Sequence, residues 1–210
     1  MNFLEFQNTF AHLPVIPIIE IEKAFPGFDP NALTRWQKKG YLEKIRRGFY
    51  RLTNRPIKGD ADLFFIANRI YAPSYISLQS ALRWYGFIPE GVFTITSVSS
   101  RKTQDFQTPA GNFSYRTIKN DLFFGYRLEK FPDFRIKIAE PSKALLDLLY
   151  LNPHFDSVEA FFELRLNFWE VQEKLDFNRF EKYLAQFASH SLETRATKLI
   201  QFLKEYDVTA

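Results

Sequence analysis

The chain of 210 residues contains no cysteine. Disulfides, thiolate metal sites and a cysteine nucleophile are thereby excluded. Its three histidines, His12, His154 and His190, lie far apart and none sits in an H-E-x-x-H setting, so no histidine-rich metal centre is expected. The eight glycines are scattered. They form neither a G-x-S-x-G nucleophile elbow nor a phosphate loop. No apolar run approaches the roughly 18–20 residues that span a bilayer. The start, Met1-Asn2-Phe3-Leu4-Glu5-Phe6, lacks the basic region and small-residue cleavage site of a secretory signal. These absences point to a cytoplasmic protein with no cofactor, no metal, no catalytic residue and no membrane partner.

What is plentiful is aromatic carbon and unevenly placed positive charge. The 24 Phe and 10 Tyr, in a composition 46% apolar, supply bulky core material. Residues 1–58 carry a net +5, whereas residues 59–210 carry −1. Within 35–58, nine basic residues face one acid, Glu43. A one-sign block of this density is the electrostatic footprint of a polyanion partner. A solubilising face is the plainer alternative.

The same block has the shape of a DNA reader. Residues 2–12 suit a short amphipathic helix ended by Pro14, and Ile18 to Phe25 a second, stopped by Pro26-Gly27. Asp29 caps a third helix, with Pro30 at its first position and Gly40 as its left-handed stop. There Ala32, Leu33 and Trp36 share one face, while Asn31, Thr34, Arg35 and Lys38 share the other. Tyr41 to Ile45 and Phe49 to Leu52 read as strands joined at Gly48, which supplies the positive φ of a tight turn. A helix followed by a basic hairpin suggests a winged helix-turn-helix on duplex DNA. Asn31, Thr34, Arg35 and Lys38 would meet base edges. Lys39, Lys44, Arg46, Arg47 and Arg51 would hold phosphates.

Thr53 to Gly59 has linker composition. Beyond it the pattern predicts helices from Asp60 to Ile70 and from Ser77 to Gly86. Strands are expected at Val92–Val98, Phe113–Ile118, Phe123–Leu128 and Phe134–Ile138, and helices at 141–151, 156–173, 177–188 and 191–206. Short connections favour mainly antiparallel pairing. The expected fold class is α+β. A winged helix-turn-helix domain, 1–57, precedes an α+β domain, 60–210, with a mostly antiparallel sheet and a C-terminal helical bundle.

Three segments resemble the AbiEi family of antitoxins and transcriptional regulators of type IV toxin–antitoxin systems. They are Arg46-Arg47-Gly48-Phe49-Tyr50-Arg51-Leu52, Ser74 to Leu82 with Tyr85-Gly86, and Ala139-Glu140-Pro141-Ser142-Lys143-Ala144-Leu145-Leu146-Asp147-Leu148-Leu149. In order and spacing the resemblance covers about residues 15 to 150. It implies a winged helix that represses its own operon at double-stranded promoter DNA. It also implies a second domain needed for antitoxicity and a neighbouring nucleotidyltransferase-like toxin, counteracted without necessarily forming a stable complex. Ser77, Tyr85, Lys143 and Asp147 take the place of the family's second-domain motif. From the residues alone, Ser77 and Ser142 are expected as helix caps, and Lys143 and Asp147 as an i,i+4 pair worth about 0.2–0.5 kcal/mol.

Two other readings stand beside this one. Asp133, Lys137, Glu140 and Lys143 flank a strand, as carboxylates and a lysine do in metal-dependent nucleases, which would give a nuclease with a DNA-targeting head. A stand-alone regulator without an antitoxin role is the other.

Overall fold

The computed structural model describes residues 2–89, 91 and 93–206. Val92, the expected start of a strand, and residues 207–210 of the expected second domain lie outside them. The N-terminal part comprises α1 (Phe3–Phe10), β1 (Ile16–Pro17), α2 (Ile18–Ala24), α3 (Asn31–Lys38), β2 (Leu42–Arg46) and β3 (Phe49–Leu52). A capping box opens α1: Asn2 accepts from the Glu5 amide and Glu5 accepts from the Asn2 amide, both at 2.9 Å. The strands form a small antiparallel sheet in the order β1-β3-β2. Phe6, Phe10, Ile21, Leu33, Trp36, Tyr50 and Leu52 fill the core beneath it.

The rest comprises α4 (Asp60–Ile70), β4 (Ser74–Ile76), α5 (Leu78–Trp84), β5 (Thr94–Ser99), β6 (Gln104–Thr108), β7 (Gly111–Thr117), β8 (Tyr126–Lys130), β9 (Arg135–Ala139), α6 (Pro141–Leu151), α7 (Val158–Glu163), α8 (Phe168–Lys174), α9 (Phe177–Phe187) and α10 (His190–Tyr206). The strands build one six-stranded sheet, β6-β7-β5-β4-β9-β8. Three of its pairings are antiparallel, while β4–β9 and β5–β7 are parallel. The parallel β5–β7 pair arises because β6 runs out to the sheet edge and β7 returns between it and β5. The architecture is α+β with a helical C-terminal end.

Several elements differ from the sequence expectation. β1, β4 and β6 are additional strands. The strand expected from Phe123 starts at Tyr126, because a 3-10 turn at Asn120–Leu122 precedes it and Phe123 and Phe124 pack against the core. The single helix expected over 156–173 is two. Arg165 adopts φ +48°, and Asn167 caps α8 by accepting from the Glu170 amide at 3.3 Å.

The larger core takes two residues from the N-terminal part, Val15 and Ile45, and packs Phe49 against itself. The hairpin is thus two-sided. Tyr50 and Leu52 enter the small core, while Ile45 and Phe49 press on the large one. A register shift between Lys44 and Arg46 makes this possible. The extra residue of such a bulge breaks strict alternation, so that Ile45 and Arg46, though adjacent, both engage the larger domain.

Candidate nucleic-acid interface

Helix α3 owes its limits to local chemistry. Asp29 Oδ1 accepts from the Asn31 amide at 2.9 Å, and Oδ2 accepts from Arg35 at 3.0 Å. Hydrogen bonding from the Asn31 amide, then from Arg35, holds the Asp29 carboxyl below its usual range. At the other end Gly40, at φ +72°, donates to Gln37 O, and Tyr41 donates to Trp36 O. That is the paired 5→2 and 6→1 pattern of a Schellman stop. Phe3 fastens the stop by packing on both Trp36 and Tyr41.

Ala32, Leu33 and Trp36 are buried, so the opposite face is fixed outward. Asn31, Thr34, Arg35 and Lys38 are exposed on it, with Lys39 just beyond the helix end. Arg35 keeps 60% of its side chain exposed despite the Asp29 pair. Lys44 and Arg47 are exposed on the hairpin, and Gly48 at φ +81° closes its two-residue turn. The side chains free to meet a polyanion are therefore Asn31, Thr34, Lys38, Lys39, Lys44 and Arg47, plus Arg35 once it leaves Asp29.

Two of the expected phosphate contacts point elsewhere. Arg46 does not project from the tip. It donates to Ile70 O at 2.6 Å and lies 4.2 Å from the Phe106 ring centre, tying the hairpin to the larger domain. Arg51 is half-buried and donates to Glu43 across the strands at 2.5 Å. The bulge redirects the first, and the one acid of the basic block neutralises the second.

Residues 20–53 match the AbiEi family of antitoxin transcriptional regulators. The AbiEi match runs from α2 to the end of the hairpin, and so contains the helix pair and every exposed cation just described. A comparison with curated proteins finds no match.

The segments Ser74 to Leu82 and Ala139 to Leu149 converge inside the larger domain. Lys143 and Asp147 are ion-paired and both 0% exposed. Tyr75 donates to Asp147 Oδ2 at 2.9 Å and Ser77 donates to the same oxygen at 2.8 Å. Lys143 also donates to the Tyr75 hydroxyl at 2.9 Å, and its ammonium lies about 5 Å from the ring centres of Phe124 and Phe187. Burial pushes the Asp147 carboxyl up and the Lys143 ammonium down, and their mutual attraction opposes both shifts. The expected i,i+4 pair forms, and it lies in the core.

Ser77 holds the N-cap position of α5, but its hydroxyl makes no capping bond and goes to Asp147 instead. Ser142 lies inside the first turn of α6, where Glu140 holds the N-cap position, and donates to Asp176 O at 3.2 Å. Tyr85 is buried and donates to Ala139 O at 2.8 Å; burial lifts its hydroxyl to about 12. Tyr75 was missed from the sequence, although it stands two residues before Ser77, and alternate residues of a strand share a face. The four residues of the nuclease reading do not gather. Lys143 is in the core, Glu140 accepts from Arg179 at 3.0 Å and Tyr183 at 2.8 Å, and Asp133 is exposed beyond β8. No group of three or more His, Asp or Glu placed to hold a metal ion occurs among the described residues. None of the described helices is long and apolar enough to cross a membrane.

Proposed function

We propose that this protein is a DNA-binding repressor of its own operon and the antitoxin of a type IV toxin–antitoxin system of the abortive-infection kind. It would act in the cytoplasm by binding rather than by catalysis. The observation that carries this reading is the exposed polar and cationic face of α3, flanked by Lys39, Lys44 and Arg47, inside the segment that matches the antitoxin regulators. An α-helix fits the major groove, where Arg pairs with guanine and Asn with adenine. In this reading Asn31, Thr34, Arg35 and Lys38 read bases while Lys39, Lys44 and Arg47 hold phosphates. Arg35 exchanges one oxyanion for another, leaving Asp29 for the duplex. The larger domain opposes a neighbouring nucleotidyltransferase-like toxin, a role that does not require a lasting complex.

Two measurements test it. Anisotropy titration of the upstream promoter duplex should show Arg35→Ala flattening the preference between the promoter and scrambled duplexes, by about 1–3 kcal/mol per base pair read. Equal preference in wild type and variant ends the major-groove assignment. Co-expression with the adjacent gene product should restore growth with the full chain, and not when residues 59–210 are deleted. Restored growth without those residues ends the antitoxin assignment. Failure of any adjacent product to inhibit growth leaves a stand-alone regulator.

A further inference from the structure

A cleft of about 390 Å3 separates the winged helix from the larger domain. It opens where the large sheet splays. Strands β4 and β9 pair only at Ile76 and Ile138, so their N-terminal ends diverge. Asn68 of α4 fills part of the gap as a substitute strand. Its amide accepts from the Lys137 N–H at 2.5 Å and donates to Lys137 O at 3.3 Å.

What remains is unbalanced. Arg69, Arg135 and Lys137 line the cleft against one carboxylate, Glu20, and none of the three cations is in an ion pair among the described residues. Ser74, at the start of β4, also lines it. Ser74 is 1% exposed, yet its hydroxyl has no hydrogen-bond partner among the described residues. A buried polar group without a partner calls for an explanation, and a bound ligand is one. The rim carries Ile19 and Leu128, each more than half exposed. Surplus positive charge, an unused hydroxyl and an apolar rim describe one ligand chemistry: an anion on an apolar body.

We propose that this cleft binds a small phosphate monoester with an apolar or aromatic body. Arg69, Arg135 and Lys137 take the phosphate, the Ser74 hydroxyl donates to it, and Ile19 and Leu128 cover the body. Guanidinium groups match phosphate oxygens in a two-pronged geometry. The site draws walls from both domains, so its occupant touches the winged helix at Ile19 and the sheet at Arg135 together.

The test is calorimetric titration of the full chain with AMP and, separately, with inorganic phosphate. Saturable AMP binding is expected, with weaker binding of phosphate alone. Arg135→Gln with Lys137→Gln should weaken AMP binding at least tenfold, whereas Lys119→Gln with Lys182→Gln, which removes as much charge elsewhere, should not change it. Ser74→Ala should weaken AMP binding several-fold without lowering the melting temperature, since the hydroxyl bonds to no other described residue. Absence of saturable AMP binding overturns the proposal, as does equal affinity in the Arg135/Lys137 variant. Loss of promoter affinity in that variant, with no AMP binding by wild type, also overturns it and assigns the cations to DNA.

Discussion

At the tip of the hairpin two adjacent arginines meet opposite surroundings. Arg47 is exposed, while Arg46 is bonded to Ile70 O and stacked on Phe106. Each phosphate contact steepens the fall of log K with log salt by about 0.9. Arg47→Ala should therefore flatten that slope by about 0.9 on promoter DNA, measured by anisotropy across a potassium chloride series. Arg46→Ala should leave the slope unchanged and cost about 2 kcal/mol of stability in urea, the size of a hydrogen bond from a charged donor. A flattened slope for Arg46→Ala would restore it to the interface. The buried pair gives a second prediction. Removing one partner of a buried ion pair strands a charge and costs about 3–5 kcal/mol, whereas replacing both with apolar groups can be nearly neutral. Lys143→Met should thus lower the urea midpoint sharply, and Lys143→Met with Asp147→Leu should recover part of the loss, the remainder reflecting the Tyr75 and Ser77 hydroxyls that lose their acceptor. What separates Arg46 from Arg47, and the burial of the lysine, were not legible in the sequence. Spacing says which residues share a helix face, and says nothing of whether that face meets water or a tertiary neighbour.

Elements whose limits are set locally were the legible ones. Asp29, Pro30 and Gly40 bracket α3 through bonds within the element, and the side-chain bond of Asp29 and the Schellman turn stand where the sequence places them. Elements that depend on partners were missed. β4 has three residues and is a strand by virtue of β5 and β9 beside it. β6, Gln104–Thr108, is a polar edge strand in which only Phe106 reaches the core. The break between α7 and α8 had a readable sign in Asn167, a capping residue inside an apolar stripe. The linker yields a pH prediction. Asp62 at the start of α4 accepts two hydrogen bonds from Arg55, at 2.8 and 3.0 Å, and one from the Lys58 amide at 2.8 Å. Burial acts to raise its carboxyl, but these bonds outweigh it and hold the group below its ordinary value of 3.8. Its ionised form is favoured by folding, so the contribution is complete above that value and is lost as pH falls below 3.8. Urea midpoints should drop more between pH 5 and pH 3 for wild type than for Asp62→Asn. Equal drops would show that this carboxylate does not hold the linker.

Over the whole molecule, the division into a small and a large core is blurred by Val15, Ile45 and Phe49, which leave the first to pack on the second. Composition and charge marked the basic head, but only the folded chain shows it braced from behind. With Trp84→Phe and Trp169→Phe in place so that the buried Trp36 is the one tryptophan left, urea unfolding followed by fluorescence and by far-UV circular dichroism should therefore give coincident transitions, the sign of one cooperative unit. Ile45→Asp, which places a charge in the larger core, should separate them, with the Trp36 signal moving to lower urea. Separate transitions without the Ile45 change would mean that the two cores fold independently. The braced hairpin has a mechanical corollary. A reading head on a slack tether adjusts to the curvature and half-site spacing of its target. A head set into the body by a bulge, an isoleucine and an arginine stack does not. On promoter DNA any misfit would fall on the duplex, whose bending cost varies with sequence, so base pairs that no side chain touches would still influence which promoter is held.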